Sequence, residues 1–258
     1  MAGASLYAAP AEPTLKAAWE AAEDNQAGLA YRIFRSLQGR EGIDERERQF
    51  GEAVSVLNVQ PRTAENIRQA KDLFLELLKG DDRFAGLSEF FLARLHADYT
   101  DPRDLPTAKR FYRSALERGT GDPVVETGAA RLVNMTEADH PQPEDAIRAL
   151  NELEPLASQL KTPQGKRTYH EAMGQGYILA GDLEAGLRHH LIAESFGFTR
   201  RQTEAASWVT IAEAARELRK NDIAAEYYRK FLAKYLRDSR SYLIAKKLRE
   251  LEAANHQP

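Results

Sequence analysis

The chain has 258 residues, 43% hydrophobic and 29% charged, with a formal net charge of −3. It has no cysteine, which excludes disulfides, thiolate nucleophiles and cysteine-based zinc sites, and its charge gives no overall basic footprint for nucleic acid. Good helix formers dominate over β-branched residues, and no apolar run approaches the roughly 20 residues of a membrane span, so a soluble all-α chain is expected.

The segment 1–13 is small, apolar and then Pro-rich. It is read as a flexible N-terminal segment with two alternatives: the tail of an export signal, or the Ala-rich terminus of a cytoplasmic protein. The basic start and longer apolar stretch of a complete signal are missing. The signal-like start slightly favours a periplasmic or exported bacterial protein and a place as subunit or adaptor in an envelope complex.

From there the sequence alternates two kinds of helix. First helices are expected at about 14–23, 44–59, 84–99, 123–137, 164–180 and 203–219. Between them a triplet recurs: a small residue, a large ring or Leu four positions on, and an apolar residue three further. The triplets are Ala30/Phe34/Leu37, Ala70/Phe74/Leu77, Ala108/Tyr112/Ala115, Ala146/Leu150/Leu153, Gly186/His190/Ala193 and Ala224/Tyr228/Phe231. Their leading residues are 40, 38, 38, 40 and 38 apart. This spacing places each triplet on one face of a second helix, so six near-periodic copies mean six helix pairs. Pro123 and Pro143 suit helix starts, whereas Gly80, Gly119 and Gly197 suit helix ends through positive φ. A last amphipathic helix at 239–254 carries Tyr242, Ala245, Leu248 and Leu251 on one stripe and caps the stack.

The pattern resembles the tetratricopeptide-repeat superfamily, whose first helix reads Trp-x2-Leu-Gly-x2-Tyr and whose second reads Ala-x3-Phe. Trp208, Ile211, Ala212 and Ala215 with Ala224 and Tyr228 carry the resemblance. So do His170, Met173, Gly174 and Tyr177 with Gly186 and His190, and Leu92, Leu95, His96 and Tyr99 with Ala108 and Tyr112. The best-matching units are 84–120, 164–197 and 203–236, within a repeat domain of 14–258. The units run longer than the family's 34 residues, the first two lack the first-helix signature, and the fourth carries an insert around Pro141 and Pro143. The resemblance implies a right-handed superhelical stack of about six antiparallel helix pairs plus a C-terminal capping helix.

It also implies a non-enzymatic scaffold, without cofactor or nucleic acid, that binds a segment of another protein in the concave face lined by first helices. The exposed side of those helices offers Phe90, Asn134, Glu171, Gln175, Glu213 and Arg216. Ala93 and Ala97 stand where some family members clamp a C-terminal carboxylate, so that role does not carry over. A separate basic segment holds Arg229, Lys230, Lys234, Arg237, Arg240, Lys246, Lys247 and Arg249 against Asp238 alone, a local charge of +7. It suits an acidic partner or an anionic surface. Two alternatives carry chemistry: an enzyme site inside an α-helical shell, or a metal held in the His170/His190 region, since both rings occupy core-facing positions of one helix pair. Gly174-Gln175-Gly176 lies within a helix with no strand before it, so these glycines are expected to permit close packing rather than to bind a dinucleotide.

Overall fold

The computed structural model describes residues 13–119 and 121–255. The segment read as an export-signal tail lies outside the described residues up to residue 12. The chain folds into α1 (Leu15–Glu23), α2 (Ala27–Ser36), α3 (Glu45–Asn58), α4 (Ala64–Leu77), α5 (Arg83–Arg94) and α6 (Leu105–Gly119). These are followed by α7 (Pro123–Asp139), α8 (Pro143–Asn151), α9 (Pro163–Leu179), α10 (Leu183–Ser195), α11 (Arg201–Glu217), α12 (Asn221–Lys234) and α13 (Ser241–Asn255). A π-helical turn, Leu95–Tyr99, prolongs α5, and a short 3-10 turn, Glu154–Ser158, follows α8. Among the described residues there is no strand, and no helix is long and apolar enough to cross a membrane. Counting the π-helical turn as the end of α5, which by itself stops at Arg94, every first helix and the cap begin and end within two residues of the expected bounds.

Side-chain caps set many of the starts. Thr14, Asp44, Thr63, Asp82, Asp122, Thr162 and Asp182 each accept a backbone N–H from the first turn of the helix that follows. Each satisfies a donor that the helix itself leaves unpaired. At the other ends, Gly197 has the positive φ expected of it, 73°, but Gly80 and Gly119 do not. Gly80 is small for another reason: a Cβ there would run into the guanidinium of Arg46.

All eighteen triplet residues are buried, so the repeat register is that of the fold. The contacts divide the chain into two compact units, 1–118 and 119–258. In the first, aromatic rings link successive helices: Trp19 meets Phe34 at 5.0 Å, Phe50 meets Phe74 at 6.0 Å, and Phe91 stacks on Phe74 at 5.3 Å. Gly51 lets α3 lie flat against the Phe34 ring, which no side chain could approach so closely. The first two units therefore form helix pairs even without the first-helix signature.

In the second unit, α9 and α10 cross on two glycines. A Cβ on Gly174 would stand 2.7 Å from the His190 ring, and one on Gly186 3.0 Å from the Gly174 carbonyl oxygen. The glycines of the Gly174-Gln175-Gly176 run thus serve packing, since a Cβ on Gly176 would likewise press on Leu150 at 3.2 Å. Polar ties span about one repeat. Gln69 donates to Tyr31 at 2.7 Å, Arg46 to the Leu77 carbonyl at 2.8 Å, and Arg167 to the Gly197 carbonyl at 3.1 Å.

The cap needs a correction. Its seam is Ile244, Leu248 and Leu251, whereas Tyr242 is 80% exposed and Leu243 52%. Two positions separate Tyr242 from Ile244, about 200° around a helix, so burying Ile244 turns Tyr242 outward.

Candidate functional site

Four of the expected groove residues have a clear place. Asn134 on α7, Gln175 on α9 and Arg216 on α11 are exposed, and Glu213 on α11 is partly so. Phe90 is not on the surface. It is 5% exposed and packs edge-on against Tyr112 at 5.7 Å. The reason is that α5 is enclosed on several sides, its rings meeting Phe50 of α3, Phe74 of α4 and Tyr112 of α6. Glu171 is half-buried, its Oε1 has no hydrogen-bond partner, and burial raises its pKa against the opposing charge of Arg167.

Glu213 is a brace rather than a free acid. One of its oxygens accepts the Tyr228 hydroxyl of α12 at 2.7 Å and the Lys247 ammonium of α13 at 2.7 Å, and the other accepts Arg216 at 3.1 Å. Despite burial, the Lys247 and Tyr228 bonds hold its pKa below the usual value. The sequence alone places Glu213→Ala at a cost of about 0.5 kcal/mol or less, as for an exposed side chain. The geometry raises this to about 1–2 kcal/mol, because the substitution strands the phenol of a fully buried ring. Urea unfolding of the single substitution measures it.

The basic segment is largely neutralised from within. Arg229 pairs with Glu252 at 2.6 Å, Lys230 with Glu226 at 2.9 Å, Lys234 with Glu204 at 2.6 Å, and Arg240 with Asp238 at 2.8 Å. Lys247 pairs with Glu213 at 2.7 Å and Lys246 with Glu250 at 3.8 Å. Among the described residues, only Arg237 and Arg249 of the eight form no ion pair. A local sum of +7 along the sequence therefore overstates the field, because every one of these partner acids except Asp238 lies outside the 229–249 segment.

The histidines pair differently from the expected arrangement. His170 meets His189, not His190, with the two Nδ1 atoms 2.9 Å apart. His189 Nε2 lies 2.9 Å from Glu154 Oε1, a carboxylate that also takes Arg188 at 3.0 Å and the Tyr177 hydroxyl at 3.1 Å. A carboxylate only accepts, so His189 donates from Nε2 and its Nδ1 must receive the proton of His170 Nδ1. The array closes on itself around neutral rings. Among the described residues, no group of three or more His, Asp or Glu is arranged to hold a metal ion.

His190 fills the slot held elsewhere by Phe34, Phe74, Tyr112 and Tyr228, and neither of its ring nitrogens has a partner. Burial, then the neighbouring His189, lowers its pKa to about 4, and the same two causes take His170 to about 4. Both folded values lie below the unfolded 6.5. The stability these neutral rings allow is present above pH 6.5 and is lost as pH falls towards 4, since the unfolded chain then binds the protons. The unfolding free energy from urea titrations should fall between pH 7 and pH 5, by about 2 kcal/mol per ring. His190→Phe should flatten that slope and, by removing two stranded nitrogens, add about 1–2 kcal/mol at pH 7.

No family model matches the chain, and no curated protein matches it either. Among solved structures, a chain of the crystal structure of the APC/C hetero-tetramer Cut9-Hcn1, a tetratricopeptide-repeat protein, matches at a TM-score of 0.50. The match covers 91% of this chain at 14% identity. The fold is a tetratricopeptide-like helical stack. At this identity the likeness is one of fold, and the chain spans 42% of the length of the one it matches.

Proposed function

We propose that the chain is a non-enzymatic scaffold that binds a segment of a partner protein along the face formed by its first helices. The observation that carries the proposal is that Asn134 on α7, Gln175 and Leu179 on α9, and Arg216 on α11 are all exposed on first helices. Leu179 is 62% exposed, an apolar anchor beside polar groups of the kind that docking sites combine. The side chains with catalytic chemistry are held elsewhere. His170, His189, Glu154 and Tyr177 satisfy one another inside the α8–α10 packing, which favours a structural role over a reactive one.

Affinity purification from the native source tests this, with a Gln175→Arg/Arg216→Glu variant beside the intact chain. Both positions are exposed, so the variant keeps its fold. A partner held by the intact chain and lost by the variant is the expected result. Equal recovery would remove the first-helix face from consideration.

A further inference from the structure

Two clefts in the 119–258 unit repeat each other one helix pair apart. The first, about 500 Å³, lies between the start of α9 (Pro163, Gln164, Arg167) and the run 196–199 that follows α10. The second, about 450 Å³, lies between the start of α11 (Arg201, Gln202, Ala205) and the run 234–237 at the end of α12. Each of these positions recurs 38 residues further on, 163 to 201 and 196 to 234, the interval that separates Gly186 from Ala224. The clefts are thus a property of the repeat, opening where a first helix begins and its second helix ends. That places them on an edge of the unit, apart from Gln175 and Arg216.

Their chemistry differs. Phe196 and Phe198 line the first cleft, and Arg167 beneath them is occupied by the Gly197 carbonyl. In the second, Lys234 replaces Phe196, Arg237 replaces Thr199, and Leu236 replaces Phe198. Arg201, Lys234, Arg237 and Arg240 line it against one carboxylate, Asp238. Glu204 beside it takes up Lys234, while Arg237 has no ion-pair partner among the described residues. Leu236 is 74% exposed at the rim, an apolar side chain held out beside cations.

We propose that this edge holds an extended acidic segment of a partner protein, an aromatic side chain entering the Phe196–Phe198 cleft and carboxylates meeting Arg201 and Arg237. Charge complementarity selects the acid, and the apolar first cleft selects a peptide over a surface that offers charge alone. The inference shares with the proposed function only the premise that the partner is a protein. The first-helix face and this edge can fail separately.

The test is fluorescence anisotropy with the intact chain and labelled peptides in which Trp precedes Asp-Asp-Glu. A spacer of about two to six Gly and Ser residues spans roughly 7–20 Å when extended, which brackets the distance between elements packed about 8–10 Å apart. The acidic peptide should bind saturably, and its Lys-Lys-Lys counterpart should not. Arg201→Glu/Arg237→Glu should weaken binding about tenfold or more. Leu236→Glu, at a position too exposed to disturb folding, should also weaken it, and Gln175→Arg/Arg216→Glu should bind like the intact chain. Equal binding of the lysine peptide, unchanged affinity in Arg201→Glu/Arg237→Glu, or loss only in the first-helix variant would overturn the inference. So would binding to phosphatidylserine vesicles without affinity for any of the peptides.

Discussion

Glu126→Ala is expected to lower the free energy of unfolding by about 3–5 kcal/mol, far more than one acid among the chain's 39 would lead one to expect. Glu126 is fully buried on α7. One of its oxygens accepts the backbone N–H groups of Gly121 and Lys161, both at 2.8 Å. The other accepts the Thr162 N–H at 2.8 Å and the Thr162 hydroxyl. That hydroxyl in turn accepts the Gly165 N–H at 3.0 Å as the cap of α9. A buried carboxylate thus sits where the N-terminus of α9 presents positive charge, and Gly165 leaves it room. Burial alone would raise its pKa, but the hydrogen bonds from Thr162, Lys161 and Gly121 hold it below 4.5. Removing the side chain strands three backbone donors. Glu126→Gln keeps the shape but points an amide donor at other donors, so it should recover only part of the loss. The sign of the pH effect follows from the lowered pKa. This contribution is present above pH 4.5 and disappears as pH falls through the lower folded value. The gap between intact and Glu126→Ala urea midpoints should therefore narrow in acid, whereas a constant gap would deny the ionised carboxylate its role.

The second large effect belongs to the repeat itself. Ala224→Asp places a charge at a fully buried position in the α11–α12 crossing, where no partner awaits it, and should cost about 3 kcal/mol or more. Ala108→Asp should do the same in the first unit, at the equivalent fully buried place. Ala233→Asp, on the exposed side of α12, is the matched control and should cost about 0.5 kcal/mol. Thermal melts of Ala224→Asp and Ala233→Asp decide the point. Curves that coincide would place the repeat in the wrong register.

The triplets could be read from the sequence because a helix converts spacing into a face, and six copies at near-constant interval leave one register in which all of them are inside. Contacts that cross between repeats leave no such trace. Glu126 reaches residues 35 and 36 positions away, and nothing in its neighbours marks it as buried. Glu213 fails as a free surface acid for the same reason, since Tyr228 and Lys247 lie on the next two helices. Phe90 misleads because first helices are taken to have one exposed side, while α5 is covered by rings from three other helices. His189 is adjacent to the expected core residue His190, and only the Glu154 turn, which the periodic pattern does not predict, explains why His189 is buried as well.

The basic segment shows what summing charge along a chain omits. Glu194, Glu204, Glu213 and Glu252 arrive from elsewhere in the sequence to meet Lys230, Lys234, Lys247 and Arg229. What survives is local: Arg237 and its neighbours around one cleft, rather than a field over the whole C-terminal region.

The most direct measurement of the scaffold reading is photo-crosslinking in the native source. A photoreactive residue is placed in turn at Asn134, Gln175 and Arg216, and at Arg148 and Glu184, which are exposed on second helices. The account predicts that the three first-helix positions capture the same protein and that the second-helix positions do not. Capture from Arg148 and Glu184 alone would contradict it.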